Sequence, residues 1–277
     1  MTVCIAAVGS ENTIITASDL KITKGYYSAD IVSLKTWRIH PKWTAMLAGK
    51  ISHHWPVTGE LSRRLDDHKE YLEEDVADLC TKAYISYQRK LAYEKVLSPF
   101  GLSLDSFLAK RAELGDTMFE RLWGEISRVQ VGFDMLVVGF VGESPRIFVV
   151  SNPSEENPSF ITYCDDVQFA AIGSGGYAAE STLFALSEYL GSSTESKIYQ
   201  VLAAKFSSES ASDVGTATYL RVLRPDGTAI RMDADFIEAK IRREWEDFGR
   251  PRMRPKGFAL IKEALKVAES EQGSVGS

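Results

Sequence analysis

Residues 2–19 read Thr2-Val-Cys-Ile-Ala-Ala-Val-Gly-Ser-Glu-Asn-Thr-Ile-Ile-Thr-Ala-Ser-Asp19. Two short apolar runs, Val3 to Val8 and Thr13 to Ser18, flank Gly9-Ser-Glu-Asn12, whose residue types accept the conformations of a tight reversal, so the stretch reads as a β-hairpin. Both of its ends carry chemistry. A threonine hydroxyl holds its proton too tightly to attack at neutral pH and needs an adjacent base. If Met1 is removed, Thr2 supplies that base itself, as an α-amine with a reference pKa of about 7.7–8.0 and a useful neutral fraction near pH 7.

A second hairpin is expected from Thr36 to His40 and Thr44 to Ala48, turning at Pro41-Lys42. Lys35 precedes it and Gly49 follows it. An ammonium at Lys35 would lower the pKa of a neighbouring amine by like-charge repulsion. Buried, it needs a partner, which Asp19 can supply. The backbone N–H at Gly49, with no side chain in the way, can stabilise the oxyanion of a tetrahedral intermediate. The plainer alternatives are that Met-Thr is a common start and that Asp19 and Lys35 are ordinary surface charges.

Four segments together carry a family resemblance. Ala17-Ser-Asp19-Leu-Lys21-Ile-Thr23 resembles the Asp-x-Arg-x-Thr signature of proteasome β subunits and of the related bacterial peptidase HslV, with lysine at the arginine position. Lys35 to Gly49 keeps that family's spacing from lysine to oxyanion glycine and ends in its Ala-Gly pair. Ala171-Ile-Gly-Ser174-Gly-Gly-Tyr-Ala is similar to its Gly-Ser-Gly segment before a helix, and Asp213-Val-Gly-Thr216 to its Asp-x-x-Ser segment, with threonine for serine. The N-terminus is most similar to a short-leader bacterial branch sometimes called Anbu.

The resemblance implies a four-layer αββα sandwich, the Ntn-hydrolase fold. Thr2 would be the nucleophile, with Asp19, Lys35 and Gly49 as above and Ser174, Asp213 and Thr216 around the amine. It implies an apolar P1 pocket near Ile22, Ser33, Trp37, Leu47 and Ile51, which would disfavour charged side chains. A peptide or unfolded protein substrate would lie antiparallel between the Lys21–Thr23 region and the Gly49 segment, adding a strand. Members of the family enclose their sites by assembly, so a homo-oligomeric ring or a related assembly is expected, and an ATPase partner is left open. Two departures stand out. Thr2 to Asp19 is one residue longer than the family spacing; the turn at Gly9–Asn12 is the easiest place to absorb it, and otherwise Val3 takes the nucleophile's place. No propeptide precedes Thr2, so loss of Met1 is the only maturation expected.

Composition fits a cytoplasmic enzyme of one domain spanning residues 1–277. Hydrophobic residues make up 44% of the 277, enough for a substantial core. No stretch reaches the roughly 18 consecutive apolar residues of a membrane helix, and no signal peptide is visible. The net charge of −6 argues against nucleic acid as a partner. The basic run Arg242 to Lys256 is interleaved with Glu244, Glu246 and Asp247 and reads as a solvated helix. Cys4, Cys80 and Cys164 are odd in number and widely spaced, hence reduced, buried thiols, with Cys4 a rival nucleophile only after an unexpected cleavage. His40, His53, His54 and His68 lack metal-ligand spacing, so neither metal nor cofactor is expected.

Between the strands, Val76, Leu79, Cys80, Ala83, Tyr84, Tyr87 and Leu91 recur at helical spacing. A second helical stretch from Ser103 is interrupted at Gly115. The segment 99–130 is longer than the family leads one to expect and reads as a helical insertion, suited to subunit contact, to restriction of the active-site entrance or to extra packing. Strands follow at Asp134 to Val141, Arg146 to Val150, Phe160 to Cys164 and Val167 to Ile172, then helices at Tyr177 to Leu190 and Thr194 to Ser207. Strands Ala217 to Leu223 and Thr228 to Arg231 meet at Arg224-Pro-Asp-Gly227, a turn signal. Helices at Asp235 to Trp245 and Gly257 to Glu269 precede a disordered tail, 270–277. The class is α+β. The glycines at 173–176 lack a P-loop's lysine and fit no Gly-x-Ser-x-Gly elbow, since residue 172 is isoleucine; a structural turn or support of the amine is the better reading. Three functions stay open: a threonine endopeptidase, an Ntn amidohydrolase of small amides, and a catalytically silent scaffold subunit.

Overall fold

The first hairpin forms as its turn residues dictate. In a computed structural model that describes residues 2–24, 27–30, 35–155, 157–187, 191, 193–248 and 255–274, strands β1 (Cys4–Val8) and β2 (Ile14–Asp19) pair in unbroken register from Cys4↔Ser18 to Val8↔Ile14. Glu11 and Asn12 adopt φ values of 54° and 55° in the turn, where the Gly9 N–H donates to the Thr13 carbonyl at 2.8 Å. No bulge interrupts the paired part. A short hairpin, β3 (Lys21–Lys24) and β4 (Tyr27–Asp30), leaves directly from Asp19. It was not expected from the sequence.

Next come β5 (Thr36–His40) and β6 (Trp43–Gly49), and then helices α1 (His54–Arg64) and α2 (Glu73–Ala92). The 99–130 segment is helical as expected, in three pieces: α3 (Leu104–Ala109), α4 (Arg111–Leu114) and α5 (Asp116–Ser127), broken at Lys110 as well as at Gly115. Its apolar residues make a small core of their own with the end of α2, where Phe107, Phe119 and Trp123 stack. Strands β7 (Phe133–Val141), β8 (Ser144–Val150), β9 (Ile161–Tyr163) and β10 (Phe169–Ile172) follow, then helices α6 (Gly176–Ser187) and α7 (Thr194–Ser208). The Arg224–Gly227 turn joins β11 (Thr218–Leu223) to β12 (Ala229–Arg231). One helical path then runs through α8 (Ala234–Phe236), a π-type stretch at Ile237–Arg242, and α9 (Arg243–Phe248). The last helix, α10 (Pro255–Ser274), continues past residue 269, where the sequence suggested that order ends.

The protein is thus α+β with two five-stranded antiparallel sheets, ordered β10-β1-β2-β11-β12 and β5-β6-β7-β8-β9. Period-2 alternation sends successive side chains to opposite faces. From the first sheet, Val3, Ile5, Ala7, Ile15 and Ala17 pack with residues of α6 and α7. From the second, Ala45, Leu47, Met135, Val137 and Phe148 pack with Val57, Leu61, Val76 and Cys80 of α1 and α2. The intervening residues of both sheets, Cys4, Ala6, Ile14, Met46, Ala48, Leu136, Val138 and Ile147, meet in one cluster. Strands buried on both faces explain the continuous apolar runs. Among the described residues no helix is long and apolar enough to cross a membrane.

His54, at the start of α1, is 4% exposed, with its ring 5.1 Å from that of Phe133 and no hydrogen-bond partner for Nε2 among the described residues. Burial, helped by the His53 and Lys35 charges, lowers its pKa to about 4. The unfolded chain therefore binds more protons than the native one between that value and the free histidine pKa of about 6.5, so stability falls as pH drops through this window. Glu73 works the other way: burial and Asp165 raise its pKa to about 7, so its contribution is lost as pH rises. The His54 effect is isolated by comparison with His54→Gln in urea denaturation. From pH 7 to pH 4 the wild type should lose on the order of 3 kcal/mol more than the variant. Parallel stability curves would mean that His54 does not titrate with folding.

Candidate active site

The start of β1 and the end of β2 bring Thr2 and Asp19 together. The Asp19 N–H donates to the Val3 carbonyl at 3.3 Å, continuing the ladder and setting both side chains at the same end of the sheet. Val3 turns its own side chain into the core under α6, so Thr2 and not Val3 faces Asp19. Lys35 arrives from the other sheet, held at the head of β5 by a 2.9 Å bond from the Leu47 N–H to its carbonyl. All three are buried: Thr2 is 3% exposed, Asp19 0% and Lys35 3%.

Asp19 is the hub. Its Oδ1 accepts from the Thr2 hydroxyl, from the Val3 N–H at 2.9 Å and from Lys35 Nζ at 2.7 Å, and its Oδ2 accepts from the N–H groups of Lys21 at 3.2 Å and Gly215 at 3.1 Å. Lys35 Nζ also donates to Thr2 Oγ1. A carboxylate has about four lone-pair sites, so this one is saturated, and a buried ammonium meets the partner it requires. The Thr2 oxygen thus touches both the cation and the anion of a dry ion pair.

Gly49 closes β6 with φ at +132°, and a Cβ there would lie 2.5 Å from the Gly132 carbonyl, so only glycine fits. The Leu47 N–H is directed to Lys35 and the Lys50 N–H to Gly132 at 3.0 Å. By strand alternation the Gly49 N–H faces the edge where Lys35 sits. Gly173 has φ at +93°, and a Cβ on it would come within 2.1 Å of the Thr2 carbonyl oxygen. That oxygen accepts from the Gly175 N–H at 3.4 Å and from Ser174 Oγ at 3.5 Å. The 173–175 turn therefore seats the backbone of Thr2. Ser174 reaches the carbonyl of Thr2, where the family resemblance implied its amine.

The Asp213–Thr216 segment contributes differently from expectation. Asp213 is half-buried and makes no hydrogen bond or ion pair among the described residues, while the Thr216 side chain is exposed. What reaches the triad from this loop is the Gly215 N–H. Its position is fixed by a residue that sequence reasoning passed over: Lys205 Nζ donates to the Gly215 carbonyl at 2.9 Å and to that of Thr216, and pairs with Glu209. Arg242 joins at the Thr216 carbonyl, 3.0 Å, and binds both Glu209 and Glu238. Lys205 is fully buried, and that burial pulls its pKa below the usual lysine range while Glu209 opposes the shift. The signal was present in α7, where a lone lysine interrupts the apolar run Val201 to Phe206.

The expected substrate contacts divide. Lys21 spends its N–H on Asp19 and its Nζ on the Ser212 carbonyl at 2.9 Å. Ile22 and Thr23 lie in β3, but their side chains, like the whole of Ser33, are outside the described residues. Trp37 is half-buried against Trp55, with rings 5.7 Å apart, and Ile51 is 40% exposed. Leu47 is a correction: it is fully buried in the core beside Val57 and Leu61, because alternation turns it to the helix side of β6, and it offers no surface to a ligand. Cys4 is also enclosed, its thiol pushed up to about 12 by burial against the opposing pull of Lys35, and is not a nucleophile at neutral pH. Cys80 and Cys164 are free and buried as well. Among the described residues no His, Cys, Asp and Glu cluster could hold a metal ion. The protein-family models searched match no part of the chain, and no curated protein matches it.

Gly173→Ala should displace Thr2 and destabilise the fold by about 1–3 kcal/mol, the usual cost of forcing a side chain into such backbone, whereas Ser174→Ala should change little. Urea midpoints of the two variants decide it, and equal midpoints would remove the seat from the account. Lys205→Met should release the 215–216 loop, with exchange of the Gly215 amide accelerated about 10- to 100-fold as charge-assisted bonds are lost. Unchanged protection would mean that Asp19 holds the loop without Lys205.

Proposed function

We propose that this chain is an N-terminal threonine hydrolase of peptide bonds, with the αββα architecture of the proteasome-like family that its motifs resemble. The observation carrying the reading is the buried Thr2 hydroxyl shared between Lys35 and Asp19. The three clusters in which the sheets meet each other and their helices support the layering. The assembly by which such enzymes wall off their sites, and a cytoplasmic location, belong to the same proposal.

The reaction requires a free Thr2 amine, and so a cut in the bond between Thr2 and Met1. With that amine as base, Thr2 Oγ forms a bond to the substrate carbonyl carbon while its proton passes to the amine. Lys35 stabilises charge on Oγ, and Asp19 keeps Lys35 charged and in place. The carbonyl oxygen, now an oxyanion, takes the Gly49 N–H. Collapse breaks the C–N bond, with the proton going from the amine to the leaving nitrogen. Water then cleaves the Thr2 ester by the same route.

Two observations favour a second reading, the silent scaffold: Thr2 is only 3% exposed, and neither Asp213 nor Thr216 is hydrogen-bonded to it. Intact-protein mass spectrometry before and after a threonine-directed epoxyketone or β-lactone separates the two. Under the hydrolase reading Met1 is absent and one adduct sits on Thr2, and Lys35→Ala reacts roughly 10²- to 10⁴-fold more slowly while staying folded. A chain that keeps Met1 and takes no label supports the scaffold. Labelling with turnover of small amides but not of peptides would point to a different amidohydrolase.

A further inference from the structure

The strand ends remote from Thr2 flank a cleft of about 410 Å³ between the Pro41-Lys42 turn and the Arg224–Gly227 turn. Its walls carry four cations, Arg38, Lys42, Arg221 and Arg224, and no carboxylate; its apolar wall is made by Pro41 and Ala229, with Phe140 and Leu223 nearly buried behind it in the core between the sheets. In a chain of net charge −6 this is a local reversal of sign.

The four cations are not equally engaged. Lys42 pairs with Glu70 at 2.5 Å and Arg224 with Glu269 at 2.8 Å, both near the surface. Arg38 is exposed and reaches only the Pro41 carbonyl, at 3.4 Å. Arg221 is half-buried on β11, and its guanidinium makes no hydrogen bond or ion pair among the described residues. Burial pulls its pKa down, Tyr219 opposes this, and the neighbouring Arg38 charge adds to the decrease. The turn's own carboxylate, Asp226, accepts the Thr228 N–H at 2.8 Å and its hydroxyl at 2.6 Å through Oδ1 and does not line the cleft. A withdrawn, permanently charged fork beside a second arginine lacks only an anion.

We propose that this cleft binds a small phosphorylated organic molecule, with its phosphate on Arg221 and Arg38 and its organic part against the apolar wall of Pro41 and Ala229. Guanidinium forks match phosphate oxygens two at a time, and two arginines with no carboxylate partner among the described residues suit a dianion better than a singly charged carboxylate. The volume lies within the usual range for small-ligand pockets and exceeds what a bare phosphate fills. The site shares no residue with the Thr2 centre and does not depend on its chemistry.

Isothermal titration calorimetry with phenyl phosphate, inorganic phosphate and benzoate, against sodium chloride of matched ionic strength, tests this on the full chain. The expected result is one saturable site for phenyl phosphate, tighter than for inorganic phosphate and about tenfold or more tighter than for benzoate, weakened about tenfold or more by Arg221→Gln. Arg38→Gln, at an exposed position, should weaken it as well and guards against a folding defect in the first variant. No saturable heat beyond the chloride control, or binding indifferent to both substitutions, overturns the site. Benzoate binding as tightly overturns the phosphate assignment. Phenyl phosphate binding no tighter than inorganic phosphate overturns the organic half.

Discussion

The buried ion pair between Asp19 and Lys35, 2.7 Å apart, is the constraint on which the rest depends. Asp19 ends a strand of one sheet and Lys35 heads a strand of the other, so the pair is a polar tie between layers otherwise held by apolar contact. Buried pairs of this kind seldom stabilise a fold beyond what hydrophobic residues of equal size would give, but losing one partner strands a charge at a cost of about 3–5 kcal/mol. The chain meets that condition with five donors on one carboxylate. Under the proposed hydrolase reading, that expense has a use at the Thr2 hydroxyl.

What could be read in advance follows the range of the interactions. The two hairpins at Gly9–Asn12 and Pro41-Lys42 were legible because turn chemistry is local and the flanking runs are apolar. The meeting of Thr2, Asp19 and Lys35 was legible only by combining the chemical needs of a threonine nucleophile with the family spacing, since no periodicity links positions that far apart. The β3–β4 hairpin escaped because Lys21-Ile-Thr-Lys24 is too short and polar to look like a strand. Leu47 was misjudged because proximity in sequence to Gly49 says nothing about which face of β6 a side chain takes. Ser174 was brought to the correct residue but to a different atom, a distinction that a motif does not carry.

Lys205 illustrates the opposite case, a signal visible but ambiguous. A charge inside an apolar helical run means either a break in the helix or a buried partner, and the partners here are two carbonyls of a loop and a glutamate one helical turn on. Arg242 comes from the π-type stretch, the kind of helical irregularity that often accompanies functional sites. The basic run of 242–256 was read as a solvated face, and for Arg242 that reading missed a half-buried network with Glu209 and Glu238.

The contacts around Asp19 also set an order of events. The Gly215 N–H lies 196 residues downstream of the carboxylate it binds, and the turn that seats Thr2 lies at 173–175. Synthesis from the N-terminal end delivers Thr2 well before the groups that complete its surroundings. For most of its time as a nascent chain, Thr2 is therefore a hydroxyl without an assembled environment.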